Sequence, residues 1–190
     1  MRWERTAAAA AVGIAVLAGC SEGGTANETL PPVSTSATPT SEALQPLGPP
    51  DFPVPDEARE LTEPGALAAG KYFALLTQHA LQKMDTSGFT ELSRDCQFCD
   101  ELVRAVQDDA AAGNRYKGGE ITFRDQGQTV LQGNVAEVAF SLTQGALDVI
   151  GPNGDLIVDR RQPSSDVFSS FTMTWDPEGR AWLLNQLTNS

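Results

Sequence analysis

The sequence predicts an α+β domain, with three helices in its first half laid on one face of an antiparallel sheet. Two observations carry this. Apolar residues recur at helical spacing from about residue 62 to 113, and from about residue 120 the pattern changes to strict alternation. Turn sequences, "GPNGD" (151–155) and "DPEGR" (176–180), punctuate the alternating part. Helices followed by antiparallel strands specify a sheet covered on one side.

The first helix is expected in "LTEPGALAAGKYFALLTQHALQKM". Thr62 supplies an N-cap oxygen and Pro64 sits in the first turn, where a missing N–H costs nothing. Ala69, Tyr72, Phe73, Leu76, Ala80 and Met84 then form an apolar face. "DTSGFTELS" reads as a short second helix, with Phe89 and Leu92 inward. A third follows in "DCQFCDELVRAVQDDAAAG", where Cys99, Leu102, Val103, Val106 and Ala110 share a stripe and Gly113-Asn114 ends it. Strands are expected in "EITF", "TVLQGNVAEVAFSL", "GALDVI", "DLIVD", "DVFSSFTMTW" and "RAWLLNQL".

Upstream, Arg2 and Arg5 precede an apolar run of about twelve residues, too short for the roughly twenty needed to cross a bilayer. The run ends in "LAGC" (17–20), which closely resembles a bacterial lipobox. That resemblance implies cleavage after residue 19 and a diacylglyceryl group on the sulfur of Cys20. Several acyl chains make a stable membrane anchor where one is marginal. Residues 20–52 are dominated by Ser, Thr, Gly and Pro and are expected to form a disordered tether. The folded domain is then expected over 53–190, at the outer face of the cell membrane.

The chain holds 25 acidic and 13 basic residues, a formal charge of −12, and losing residues 1–19 makes it more acidic still. Such a surface excludes electrostatic binding of nucleic acid, which needs clustered Lys and Arg. No dinucleotide fingerprint, phosphate-cradling loop or nucleophile elbow occurs, and no cofactor is expected.

The helix "KYFALLTQHALQKMDTSGFTELS", the strand "NVAEVAFSL" and the closing "FTMTWDPEGRAWLLNQL" resemble the NTF2-like fold. More narrowly, "SRDCQFCDEL" with "YKGGEI" looks like an uncharacterised family of actinobacterial lipoproteins built on that fold. The resemblance covers roughly residues 53–190. It implies a curved sheet wrapped with the helices into a cone, and implies no settled activity. One departure is that the strands follow three helices with no obvious helix between the first two strands.

Cys96 and Cys99 stand three residues apart, which in one helical turn brings their Cα atoms within disulfide reach. Export favours oxidation, so a structural disulfide is expected. Two other readings compete. A Cys-x-x-Cys at a helix N-terminus suits redox exchange, but Asp95, Asp100 and Glu101 disfavour a thiolate. A metal site needs further soft ligands, and neither Cys20 nor the single histidine supplies them.

His79 lies one position round from the apolar stripe and is read as a boundary or solvent-facing residue. Asp95, Asp100, Glu101, Asp108 and Asp109 lack calcium-loop spacing and are read as solvated helix surface. Tyr72, Phe73, Trp175 and Trp182 are expected to pack as core, and the alternative, as such aromatics line the cavity of a cone, is a pocket formed by Tyr72, Phe73, His79, Asp148, Trp175 and Trp182. The expected function is a non-catalytic binding or interaction module on a lipid anchor, taking an extracytoplasmic protein or a small apolar ligand. The alternatives are an isomerase- or cyclase-type enzyme using Tyr72 and Asp148, as NTF2-like relatives use a tyrosine and a carboxylate, and a thiol–disulfide exchange protein.

Overall fold

The computed structural model describes residues 45–190. The expected signal peptide, Cys20 and most of the expected tether lie outside them. Three helices, α1 (Glu63–Lys83), α2 (Ser87–Leu92) and α3 (Gln97–Ala111), precede seven strands. These are β1 (Arg115–Gly118), β2 (Ile121–Phe123), β3 (Gln128–Gln132), β4 (Val135–Gln144), β5 (Leu147–Ile150), β6 (Ser165–Asp176) and β7 (Ala181–Asn189). Among the described residues no helix is long and apolar enough to cross a membrane.

Local chemistry sets the helix ends. Thr62 Oγ1 accepts a hydrogen bond from Gly65 N at 3.0 Å, capping α1, which stops at Met84 in the left-handed conformation. The Cys96 sulfur caps α3 by accepting from Cys99 N.

Five strands form one antiparallel sheet in which β4 is central: β6 pairs along one side, and β3 and β2 share the other. Asp125, between β2 and β3, accepts from the backbone of Gly127 and Ser141 and closes the junction. Strand β7 continues the sheet beyond β6 with a register shift at Thr172/Met173. Strands β1 and β5 form a separate two-stranded ribbon. The chain passes from ribbon to sheet through Gly118 and Gly119, both at positive φ (88° and 76°). A Cβ at Gly118 would collide with the Ala146 carbonyl, so this corner requires glycine.

Period-two burial places Ala136, Val138, Phe140 and Leu142 of β4 against α1, with Phe171 and Met173 of β6 beside them. Phe140 stacks on Phe171 with ring centroids 5.1 Å apart, and Phe73, Leu76 and Phe89 fill the space under the helices. Those apolar side chains are the core.

Three expectations need correction. Arg115–Gly118, absent from the expected strands, is a strand, because β5 offers it a partner in register. "DLIVD" is not a strand: Val158–Arg160 is a 3-10 turn, and only Leu156 keeps a bridge, to Ile150. The folded region also begins before residue 53. Pro49 is fully buried, Phe52 N bonds Pro49 O and Val54 N bonds Leu47 O, both at 2.9 Å, so 45–54 is a strap on α1. Its aromatic ring and prolines have a surface to bury against, which composition alone does not reveal.

Candidate functional site

The strap accounts for two of the six pocket candidates. Phe52 stacks on Tyr72 (5.2 Å) and on His79 (5.1 Å), and Tyr72 donates its hydroxyl to Phe52 O at 3.1 Å. Burial pushes the Tyr72 phenol well above the ordinary tyrosine range. His79 is 8% exposed, not solvent-facing; its Nε2 lies 3.1 Å from Asp51 Oδ1. Its side of α1 looks exposed in sequence only because the covering segment precedes the helix.

The other four candidates are equally committed. Phe73 is core. Trp182 is buried, meets Trp175 edge-on at 5.3 Å and donates Nε1–H to Glu60 O at 3.1 Å. Next to them Arg59, 5% exposed, donates to the carbonyls of Gln45, Gly179 and Arg180, tying the strap to the last hairpin. Asp148 pairs with Arg161 at 3.1 Å. It alternates with the buried Leu147 and Val149 and so points to the other side of its ribbon. Tyr72 and Asp148 therefore share no site.

Concave surface lies elsewhere. A groove of about 490 Å³ runs between α1, α3, the β1–β5 ribbon and the 158–160 turn. Leu81, Phe98, Leu102, Leu147 and Val149 give it an apolar floor, while Gln144, Asp159, Arg160, Arg161 and Gln162 give it a polar side with two cations to one carboxylate. Thr77, Phe98, Gln144 and Asn189 also line a pocket of about 30 Å³ that reaches Phe171 and Leu142. The interior behind the groove is thus nearly filled by the aromatic core.

One buried ionic cluster shapes the groove. Arg160 lays Nη1 and Nη2 on the two carboxylate oxygens of Asp109 at 2.5 and 2.7 Å. Asn114 and the Tyr116 hydroxyl donate to the same carboxylate. Asp109 is 4% exposed, which corrects its reading as solvated surface. The Arg160 guanidinium holds its carboxyl well below the usual range, while burial and the neighbouring carboxylate push the Tyr116 phenol up to about 12. The signal for Asp109 was present in sequence, since it stands three residues after Val106 on the stripe of α3. Arg160, about fifty residues on in an irregular segment, carried none.

The two helix cysteines form a disulfide, with Cα atoms 5.2 Å apart and both residues at most 2% exposed. No group of His, Cys, Asp and Glu suited to a metal occurs among the described residues.

No protein-family model matches the sequence, and no curated protein matches it. Solved structures are similar to it at low identity. The intermembrane-space region of the chloroplast protein ARC6 is 10% identical with a TM-score of 0.50, covering 68% of this chain and 97% of its own. An NTF2-like superfamily protein from Salmonella enterica serovar Typhimurium is 9% identical (TM-score 0.42), covering 66% and 91%. A protein from Catenulispora acidiphila is 12% identical (TM-score 0.42), also covering 66% and 91%. At such identities the likeness concerns fold alone. The chain is an α+β domain whose helices cover one face of an antiparallel sheet, and the ARC6 region follows a similar course.

Proposed function

We propose that the chain is a lipid-anchored, extracytoplasmic binding module, built as an NTF2-like cone, that holds a small ligand without transforming it. The groove between α1, α3 and the β1–β5 ribbon carries this reading. Its apolar floor and polar side fit a ligand with an apolar body and a hydrogen-bond-accepting end. Arg160 and Arg161 keep donors to spare at their partly exposed heads, 43% and 56%. The anchor rests on the lipobox-like segment 17–20, and the buried disulfide suits an oxidising compartment.

Residue chemistry favours binding over catalysis. A general acid needs a carboxyl raised toward neutral pH, and Asp109, beside the groove, is shifted the opposite way. Tyr72 is spent on Phe52, and the disulfide is buried where an exchange partner would need access.

The test uses 1-anilinonaphthalene-8-sulfonate, which has an apolar body and an anionic end, against the wild type and Ala105→Trp. Ala105 is exposed and lines the groove, so the indole fills it without disturbing the core. The expected result is saturable fluorescence enhancement, lost in the variant. Equal binding by both proteins, or none by the wild type, contradicts the proposal.

A further inference from the structure

Strand β7 is an edge strand whose outer side is only partly covered. Ser93 makes a parallel bridge to Leu184, and Arg94 N donates to Leu184 O at 2.9 Å. Asn185 then secures that loop by donating its side-chain amide to Arg94 O at 3.0 Å. Past this point no described strand pairs with β7 on that side.

Register shows which backbone groups are left. Phe168 and Ser190 exchange both of their backbone hydrogen bonds at 3.0 Å. Ser190 therefore faces β6. By the alternation of antiparallel pairing Thr188 does too, while the N–H and C=O of Leu187 and Asn189 face outward. Leu187 borders a groove of about 450 Å³ toward α3, lined also by Asp95, Gln97, Phe98, Glu101, Asn185 and Gln186, and Asn189 follows just beyond its end. Natural sheets blunt such edges with lysine, proline or a covering segment. Here the segment 93–94 covers one rung, and the groove beyond carries two exposed carboxylates, no cation and the apolar surfaces of Phe98 and Leu187.

We infer that this groove is a docking site for an extended, basic peptide segment of a partner protein, which adds as a strand to the free edge of β7. Backbone groups of Leu187 and Asn189 supply the hydrogen bonds that any extended chain satisfies. Phe98 and Leu187 take an apolar side chain, and Asp95 and Glu101 select lysine or arginine nearby. Charge complementarity names the occupant: an acidic segment would meet two carboxylates on a chain of net charge −12. The Cys96–Cys99 disulfide fixes the first turn of α3 and so keeps Asp95 and Phe98 in place opposite the strand. This site shares Phe98 with the small-ligand groove and differs from it in its charge and in its use of backbone groups.

The probe is a capped hexapeptide alternating lysine and valine, titrated into the ¹⁵N-labelled full-length protein. Expected results are saturable shifts and slowed hydrogen exchange at the Leu187 and Asn189 amides, weaker in high salt. Replacing Asp95 and Glu101 by lysine should weaken binding about tenfold, since two favourable pairs become repulsive. Glu137→Lys, on the opposite face of the sheet, serves as a charge control and should bind nearly as the wild type. The same peptide N-methylated on alternate residues, which cannot donate to the edge, should not bind. No saturation at millimolar peptide overturns the inference, as does equal binding by the N-methylated peptide. Shifts at Leu187 and Asn189 that appear on concentrating the protein alone would assign the edge to a second copy instead, and overturn it too. Loss of dye binding in Ala105→Trp bears only on the other groove, so the two readings fail separately.

Discussion

Arg160 grips Asp109 with both terminal nitrogens, joining the last turn of α3 to the irregular segment between β5 and β6. Gln162 exchanges backbone hydrogen bonds with Leu147 and Arg161 pairs with Asp148, and the Arg160–Asp109 pair adds the tie from this segment to α3. Asp109 is buried, and removing its partner leaves a desolvated carboxylate. Arg160 is itself partly exposed and Asp109 keeps the Asn114 and Tyr116 donors, so Arg160→Ala should cost about 1–2 kcal/mol. Chemical denaturation measures this, and dye affinity in the groove should fall as well. A loss below about 1 kcal/mol would mean that the turn is held by something else.

The same cluster sets a pH dependence at both ends. The folded-state pKa of Asp109 lies below its unfolded value of about 3.9, so the folded state binds fewer protons. Its stabilisation is complete above about pH 4 and is lost as pH falls through the depressed folded value. Tyr116 moves the other way, up to about 12. Its contribution is complete below about pH 10 and is lost as pH rises toward 12. Denaturation midpoints of wild type and Asp109→Asn between pH 2 and 5 check the acid limb, where the variant should show the flatter profile.

The strap makes a distinction that truncation can read. A chain beginning at residue 43 keeps every described contact of the strap, that of Gln45 included, and should remain folded. A chain beginning at residue 53 loses the Phe52 stack, the buried Pro49 and the Tyr72 partner. Phe52→Ala, which removes a half-buried ring, should cost about 2–3 kcal/mol. Gly48→Ala should also destabilise, because its φ is +82° and its Cβ would strike the Tyr72 hydroxyl.

Reduction should matter modestly. Closing a loop with a sequence separation of 3 constrains the unfolded chain by about 2 kcal/mol in the chain-entropy model. Cys96→Ser with Cys99→Ser should lower stability by about that amount and leave the domain folded. A thiol reagent should find neither sulfur in the native protein, since the two are bonded to each other.

Legibility in the sequence followed how local the cause was. Thr62, Pro64 and the stripe from Ala69 to Ala80 announce α1 because capping and helical period act within a few residues. Alternation along Ala136 to Leu142 announces β4 and its inward face for the same reason. The disulfide was legible because its geometry is contained in one helical turn. Features made by distant pairing were not. Arg115–Gly118 becomes a strand only because β5 lies beside it, and His79 is buried only because Phe52 folds back over it. The groove depends on Arg160 reaching Asp109, and no local pattern announces that contact. Core packing of Trp175 and Trp182 is the reading their size favours, and they meet edge-on in a closed core.

Location is the claim on which the oxidised cysteines and the display of both grooves depend. Intact-mass analysis of the protein extracted from its own cells tests it most directly. The expected species is a chain starting at Cys20, carrying a diacylglyceryl group, about two mass units lighter than its reduced form and released from membranes only by detergent. A water-soluble chain retaining Met1, with free thiols at Cys96 and Cys99, would contradict it.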